Sequence, residues 1–181
     1  MLKKYIKNDI LRNIVEWIFS IAIALAIFLL IDNFVMKSAM VYGGSMEPTY
    51  AHNDRVIINR LVYLFSEPQI DDVIAFPYSL DPANNYIKRI VGLPNDTIDI
   101  VGGFIYRNGE RLDDDFSQEP VFAGTVAFPM IIEENHFFVL GDNRQISEDS
   151  RFTGVGNVYR GDIIGRVSFR WWPLNRFGIV D

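Results

Sequence analysis

Residues 86–112 read YIKRIVGLPNDTIDIVGGFIYRNGERL, and the fold is decided there. Short runs rich in Ile, Val, Phe and Tyr are broken repeatedly by Gly, Pro, Asn and Asp, which is the punctuation of β-strands and turns. Asn108-Gly109, between Ile105-Tyr106-Arg107 and Glu110-Arg111-Leu112, supplies the positive φ that a two-residue type I′ hairpin turn needs at both positions. The same texture continues on either side, in VIINRLVYLF (56–65), DVIAFPY (72–78), HFFVLGDN (136–143) and DIIGRVSFRWW (162–172). No 3.6-residue period competes with it. Residues 36–181 are therefore expected to form a mainly β, antiparallel domain of about eight to ten strands. Residues 113–134, with Asp113-Asp114-Asp115 followed by Pro120, Gly124 and Pro129, are expected to form a small insertion between two halves of the core.

Upstream, residues 17–31 (WIFSIAIALAIFLLI) contain no charged side chain, and Ile14, Val15, Phe34 and Val35 extend the apolar run outward. A bilayer core about 30 Å thick takes about 20 helical residues, so residues 14–35 suit one transmembrane helix. Glu16 and Asp32 fall near its ends, where a carboxylate reaches headgroup water. A core helix of a soluble protein would carry a polar stripe, which this run lacks. Lys3, Lys4, Lys7 and Arg12 precede the span and only Lys37 follows it closely. That bias keeps residues 1–13 in the cytoplasm and sends residues 36–181 outside. A cleavable signal has a shorter apolar core and small residues before the cut, whereas Met36, Lys37 and Ser38 follow a long run here. The expectation is an uncleaved, single-pass anchor in the cell membrane.

Composition narrows the chemistry. The 181 residues carry 17 Lys+Arg against 23 Asp+Glu, a formal charge of −6, and 49% of them are hydrophobic. That is enough apolar surface for one modest folded domain with an attachment. Residues 1–16 take four of the basic and two of the acidic groups, leaving 13 basic and 21 acidic groups and a charge near −8 beyond them. Such a charge argues against a nucleic-acid partner. With no cysteine there is no disulfide, thiol nucleophile, thiolate zinc site or iron–sulfur cluster, and two histidines cannot build an all-His metal site. No cofactor or metal is expected, and the chemistry falls to oxygen and nitrogen groups. An acidic, cysteine-free external domain suits a bacterial surface.

Three stretches can carry that chemistry. In Gly43-Gly44-Ser45-Met46-Glu47-Pro48-Thr49, two glycines permit a sharp turn and Pro48 holds Glu47 extended, a turn that can expose the Ser45 hydroxyl and face its N–H toward a developing oxyanion. Equally, Gly-Gly-Ser before Pro makes an ordinary turn. In Tyr86-Ile87-Lys88-Arg89-Ile90-Val91-Gly92, the lysine is informative. Of the twelve basic residues after Lys37, eleven are Arg and only Lys88 is Lys. Arg keeps its proton, whereas a desolvated Lys can give it up, so Lys88 is the one amine beyond the anchor able to act as a base. At an ordinary pKa near 10.4 only roughly 0.04% would be neutral at pH 7. Strand alternation groups Lys88 with Tyr86 and Ile90, and Arg89 with Ile87 and Val91, and does not decide which basic residue faces inward. The third stretch is the polar loop 141–151, where Ser147 could hold the Lys88 amine while Asp149 and Arg151 brace the loop. His52 and His136 lack the spacing of a serine triad.

Together these stretches resemble bacterial type I signal peptidases, also called leader peptidases, in their short Gram-positive-like form. Gly44-Ser45-Met46-Glu47-Pro48-Thr49 resembles the nucleophile box, Lys88-Arg89-Ile90-Val91-Gly92-Leu93-Pro94-Asn95-Asp96 the base box, and Gly141-Asp142-Asn143-Arg144 through Ser147-Glu148-Asp149-Ser150-Arg151 the last box. Their order, the preceding anchor and the β pattern agree, so nearly the whole chain is covered. The resemblance implies a membrane-anchored serine endopeptidase with Ser45 as nucleophile and Lys88 as general base. It implies that Ser147 orients the lysine, that Asp149 and Arg151 support the site, and that Met46 and Pro48 shape the nucleophile turn. Asp72, in Asp72-Val73-Ile74-Ala75-Phe76, falls in a further box and reads as structural. Asn95 stands where the family usually has Gly, Gln145-Ile146 replaces a more usual polar pair, and Gly43 stands where some relatives carry a serine that assists the oxyanion hole.

The implied substrates are exported preproteins whose signal peptides, with small residues at −3 and −1, bind extended along a sheet edge. Membrane lipid and, by proximity, the secretion translocon are the other expected partners. Phe169, Trp171 and Trp172 among Arg166, Arg170 and Arg176 fit either a membrane interface or the end of the core. Self-cleaving SOS-repressor proteins share the β fold and the Ser-Lys pair, but they are soluble and carry a DNA-binding part, which the span and the acidic charge oppose. The alternative from another class is an inactive, membrane-anchored binding or assembly protein with the same fold.

Overall fold

The computed structural model describes residues 2–30, 35–78, 81–112 and 120–180. It opens with helix α1 (Leu2–Leu30), within which Leu11–Leu29 is long and apolar enough to cross a membrane and buries none of itself against the rest of the chain. Trp17, Ile18, Phe19 and Ile21 point to different sides of this helix and are 61–71% exposed. Asp32 and Phe34 of the expected span lie outside the described residues.

The strands follow in chain order as β1 (Met36–Met40), β2 (Arg55–Asn59), β3 (Val73–Tyr78), β4 (Asp81–Gly92), β5 (Thr97–Val101), β6 (Phe104–Arg107), β7 (Glu110–Arg111), β8 (Met130–Ile131), β9 (His136–Leu140), β10 (Val158–Tyr159), β11 (Gly165–Trp172) and β12 (Gly178–Ile179). A one-turn helix, α2 (Val62–Phe65), stands between β2 and β3. All pairings are antiparallel. One sheet runs β1-β2-β11-β3-β4-β9-β10 with β12 on β11, and the other runs β7-β6-β5-β8. The mainly antiparallel β domain expected from the sequence is thus present, with twelve strands among the described residues. The surplus over the expected number comes from two-residue pieces and from β1, whose MKSAM shows no strand pattern. Residues 62–65, read above as the end of a strand, are instead helical. The Asn59 carboxamide oxygen accepts the Leu61 and Val62 N–H groups at 3.0 and 3.3 Å, which ends β2 and turns the chain.

The second sheet is built on two tight turns. Gly102-Gly103 joins β5 to β6 with φ of +59° and +84°, and Asn108-Gly109 joins β6 to β7 with φ of +56° and +83°. Asp113-Asp114-Asp115 lie outside the described residues. Of the stretch read as an insertion, residues 120–134 supply β8, which pairs with β5, and the buried Val121 and Ile132.

Three apolar clusters fill the spaces around these sheets. Val73 and Ala75 of β3 pack with Val41, Met46, Tyr50 and Val56. The alternate residues Ile74 and Phe76 pack with Ile90, Phe137 and Val139. Phe138 and Leu140, the other side of β9, meet Val91, Ile98, Ile105 and Ile132 and so join the two sheets. Central strands covered on both faces explain the unbroken apolar runs VIAF and FFVL. Each fully buried side chain of this size contributes roughly 1.5–3 kcal/mol.

Gly92 ends β4 inside the third cluster. A Cβ there would stand 2.5 Å from Ile132 Cδ1 and 2.9 Å from Ile98 Cδ1. Gly92→Ala is expected to destabilise the domain by about 1–3 kcal/mol through overpacking, read as a lower urea midpoint. An unchanged midpoint would mean that the two isoleucines yield freely.

Candidate active site

The turn after β1 is fixed before it reaches Ser45. Val41 N–H donates to Asp54 O at 2.8 Å and Asn53 N–H to Val41 O at 2.9 Å. Gly43, at φ +81°, then bends the chain in a way that a side chain would resist. Glu47 N–H donates to Gly44 O and Tyr50 N–H to Met46 O, closing the turn. Met46 and Tyr50, 1% and 0% exposed, root it in the first cluster. The Pro48 carbonyl accepts from the Arg176 guanidinium at 3.3 Å. Ser45 sits between these anchors. Its carbonyl accepts the Asn143 N–H at 3.0 Å, and among the described residues no acceptor takes its own N–H.

On β4 the alternation question has a plain answer: both faces are covered, and Lys88 and Arg89 are 3% and 1% exposed. Lys88 Nζ lies 2.9 Å from Ser45 Oγ. Desolvation is the main influence on this amine and pulls its pKa down to about 8, against the Asp149, Glu148 and Asp142 carboxylates, which favour the charged form. Arg89 is instead paired. Its Nε and Nη2 donate to the two oxygens of Asp142, each at 2.9 Å, and its Nη1 donates to Asp71 O at 2.8 Å. Asp142 also accepts the Thr49 hydroxyl, so the base strand, the nucleophile turn and the last loop converge on one carboxylate.

The last loop is knit from within. Arg151 Nε and Nη2 donate to the Asp149 carboxylate at 2.7 and 2.9 Å, and Nη2 also reaches the carbonyls of Arg144 and Ser147. Asp149 accepts the Gly141 N–H at 3.1 Å. A Cβ on Gly141 would collide with both Ser147 Oγ and Ser45 O, so the loop and the nucleophile turn touch at this glycine. Ser147 is buried, but its Oγ has no hydrogen-bond partner and the expected contact with the Lys88 amine is not made. Asp72 is held away from the pair, accepting from Tyr63 O–H at 2.9 Å and from Arg166 at 3.1 Å.

A cleft of about 640 Å³ opens over Ser45 and Lys88, with Met40, Tyr42, Tyr86, Ile87, Ile146 and Glu148 among its walls. Several contributors escaped the sequence reading: the Arg89–Asp142 pair, Thr49, and the aromatic and acidic wall of Tyr78, Tyr86 and Glu148. Only Tyr86 carried a signal, being two residues before Lys88 on the same side of a strand. His52 is near but structural, its Nδ1 accepting the Gly43 N–H at 3.1 Å. His136 stands at the other end of β9 against Tyr159. Among the described residues no three acidic or histidine side chains gather as a metal set. A hydroxyl and a desolvated amine in contact, at the floor of an open cleft, can pass a proton between them.

Comparison with known proteins gives this site its relatives. The family model for signal peptidase, peptidase S26, matches residues 14–172. Signal peptidase I of Leptolyngbya laminosa is 36% identical over 172 residues, covering 91% of this chain and 83% of its own. Signal peptidase IB of Staphylococcus aureus (strain COL) is 31% identical over 182 residues, covering 92% of this chain and 93% of its own. The crystal structure of a signal peptidase I from Enterococcus faecalis V583, 30% identical, aligns with 56% of this chain and 97% of its own at a TM-score of 0.48. With a family model spanning most of its length and relatives matched nearly end to end, the chain belongs to the S26 signal peptidases.

Proposed function

We propose that this chain is a membrane-anchored endopeptidase that removes N-terminal signal peptides from exported preproteins, with Ser45 as nucleophile and Lys88 as general base. The observation that carries the reading is the 2.9 Å contact between the desolvated Lys88 amine and Ser45 Oγ. With a pKa of about 8, about a tenth of the amine is neutral at pH 7, against well under a thousandth for an ordinary lysine.

In the neutral form the contact reverses, and the Ser45 O–H donates to Nζ. The proton passes to the amine as Oγ attacks the scissile carbonyl, and the ammonium returns it to the leaving amine. Water, deprotonated by Lys88 in turn, then cleaves the acyl-enzyme. The Ser45 N–H serves the oxyanion, and Gly43 offers no hydroxyl to assist it. Met46 and Pro48 keep the turn in shape, and Asp149 and Arg151 keep the loop in place. Ser147, whose buried hydroxyl is unpartnered, takes the amine's second hydrogen bond as the base turns during the cycle.

The substrate lies extended in the cleft as an added strand, with small side chains at −3 and −1. Residues 14–35 hold enzyme and preprotein at one surface, with residues 1–13 cytoplasmic and residues 36–181 outside, beside the translocon. Trp172, Leu174, Phe177 and Ile179, 46–74% exposed near the β11–β12 turn, lie against lipid headgroups.

Ser45→Ala and Lys88→Arg are expected to lower cleavage of a signal-bearing preprotein in detergent or lipid by at least about 10³-fold while both fold normally. Substantial cleavage by Lys88→Arg would overturn the assignment of the base. The unmodified protein should gain activity with rising pH through an apparent pKa near 8, because only the neutral amine is competent. A rate flat from about pH 6 to about pH 10 would contradict it.

The same burial carries a stability cost. The lysine titrates near 10.5 ordinarily and near 8 in the fold, so the unfolded chain binds more protons between these values and stability rises with pH across that window. Below it the amine is charged in both states and the full cost, about 3 kcal/mol, is present. Lys88→Met should therefore be more stable than the unmodified protein at pH 7, and its advantage should shrink as the pH approaches the lysine's ordinary pKa. Equal denaturant midpoints at pH 7 would show that the amine is not desolvated.

A further inference from the structure

Glu148 is an exposed residue between Ser147 and Asp149, and none of the roles above involves it. Both of its carboxylate oxygens are occupied by phenols. Tyr78 O–H donates to Oε1 and Tyr86 O–H donates to Oε2, each at 3.2 Å. The two tyrosine rings are stacked, with centroids 4.2 Å apart and planes 6° from parallel. Tyr78 comes from the end of β3 and Tyr86 from β4, so one carboxylate ties the last loop to two strands at once. The Tyr86 ring also lies 4.8 Å, centroid to nitrogen, from Lys88 Nζ. All three residues line the cleft over Ser45.

Resting on the reading of Lys88 as the base, we propose that Glu148 is a positioning residue: by clamping the Tyr78–Tyr86 stack, it fixes the aromatic ring that lies against the Lys88 amine. The need for such a clamp follows from the surroundings of Nζ. Its partner in this structure is Ser45 Oγ, and the Ser147 hydroxyl makes no bond to it. A flexible side chain with four rotatable bonds is then oriented by packing, and a ring face attracts the ammonium and keeps water off the amine. Bonds to both phenols place that ring better than one would, since the stack has to move as a unit.

Two influences of Glu148 can be separated. The clamp acts on geometry and therefore on turnover. The charge acts on the proton: Glu148, Asp149 and Asp142 favour the charged amine, Arg151 opposes it, and the Tyr86 ring and Ser45 hydroxyl complete the groups facing Lys88. Removing only the charge should therefore make the amine easier to discharge.

The test measures kcat, KM and the acid limb of the pH–rate profile on a signal-bearing preprotein, using the full chain in detergent. Glu148→Ala and the double variant Tyr78→Phe/Tyr86→Phe should each lower kcat by about 5-fold or more, with KM changed less, because the base is misplaced rather than the substrate lost. Glu148→Gln, whose carbonyl still accepts a phenol, should recover most of that turnover and move the acid limb down by roughly 0.3 unit, a shift that high salt erases. In the double phenylalanine variant the charge remains, so its limb should not move down. The proposal is overturned if Glu148→Ala and the double variant keep kcat within about twofold of the unmodified protein, or if the loss falls on KM alone. Lys88→Met is run alongside: cleavage by that variant would remove the base assignment itself, whereas an inactive Lys88→Met beside a fully active Glu148→Ala would remove only the role of Glu148.

Discussion

Everything at the site depends on the Asp142 carboxylate and the three segments that it joins. Arg89 of β4 grips it with two parallel hydrogen bonds, the geometry in which a guanidinium and a carboxylate are strongest. Thr49 reaches it from the nucleophile turn, and the residue itself belongs to the last loop. Ser45, Lys88 and the loop 141–151 come from distant parts of the chain, and each contains or lies within four residues of a member of this knot. Arg89 neighbours Lys88, Thr49 is four residues beyond Ser45, and Asp142 follows Gly141, the glycine squeezed between Ser45 and Ser147. Buried pairs of this kind are costly to break, because either partner left alone is an uncompensated charge worth about 3–5 kcal/mol. The knot therefore behaves as a single hinge pin: the segments are held in register together or not at all.

That arrangement explains how a lysine can be kept desolvated without being lost to solvent. A surface lysine would swing its ammonium outward and recover its hydration. Here Lys88 stands on β4, a strand paired with β3 and β9, with Arg89 buried next to it and the Tyr86 ring near its amine. The strand cannot twist to release one side chain without withdrawing the other from Asp142. Desolvation is then a property of the sheet, not of the side chain, and it lowers the pKa although three carboxylates nearby pull the other way.

Much of this is legible in the sequence, and the exceptions have physical causes. The long apolar helix and the β domain are readable because hydropathy and alternation are local signals, as is the Asn108-Gly109 turn. Residues 62–65 mislead because a short apolar run is ambiguous, and the side chain of Asn59, which decides it, acts through hydrogen bonds that no periodicity reports. Met36–Met40 becomes a strand only because β2 lies beside it. Whether Lys88 or Arg89 faces inward could not be settled by alternation because both faces of β4 are inside. Ser45, Lys88, Asp149 and Arg151 can be picked out by residue type and position. The joining of Thr49 to Asp142 across 93 positions, and of Tyr78 to Glu148 across 70, leaves no trace in spacing.

The distribution of basic residues follows from the same physics. Beyond Lys37 the chain uses Arg eleven times and Lys once. Arg89, Arg144 and Arg151 are almost fully buried, and each is satisfied by carboxylates or backbone carbonyls. A guanidinium suits such places because it remains charged, forks to two acceptors and costs less to strip of water. A lysine in any of them would bring a second amine able to discharge beside the first, and its titration would follow the same carboxylates that govern Lys88. With Arg at these buried positions, Lys88 is the one buried amine beside the cleft among the described residues. The asymmetry that marks Lys88 in the sequence thus follows the buried ionic scaffold: forked guanidinium–carboxylate pairs hold the frame, and the amine sits where it meets a hydroxyl.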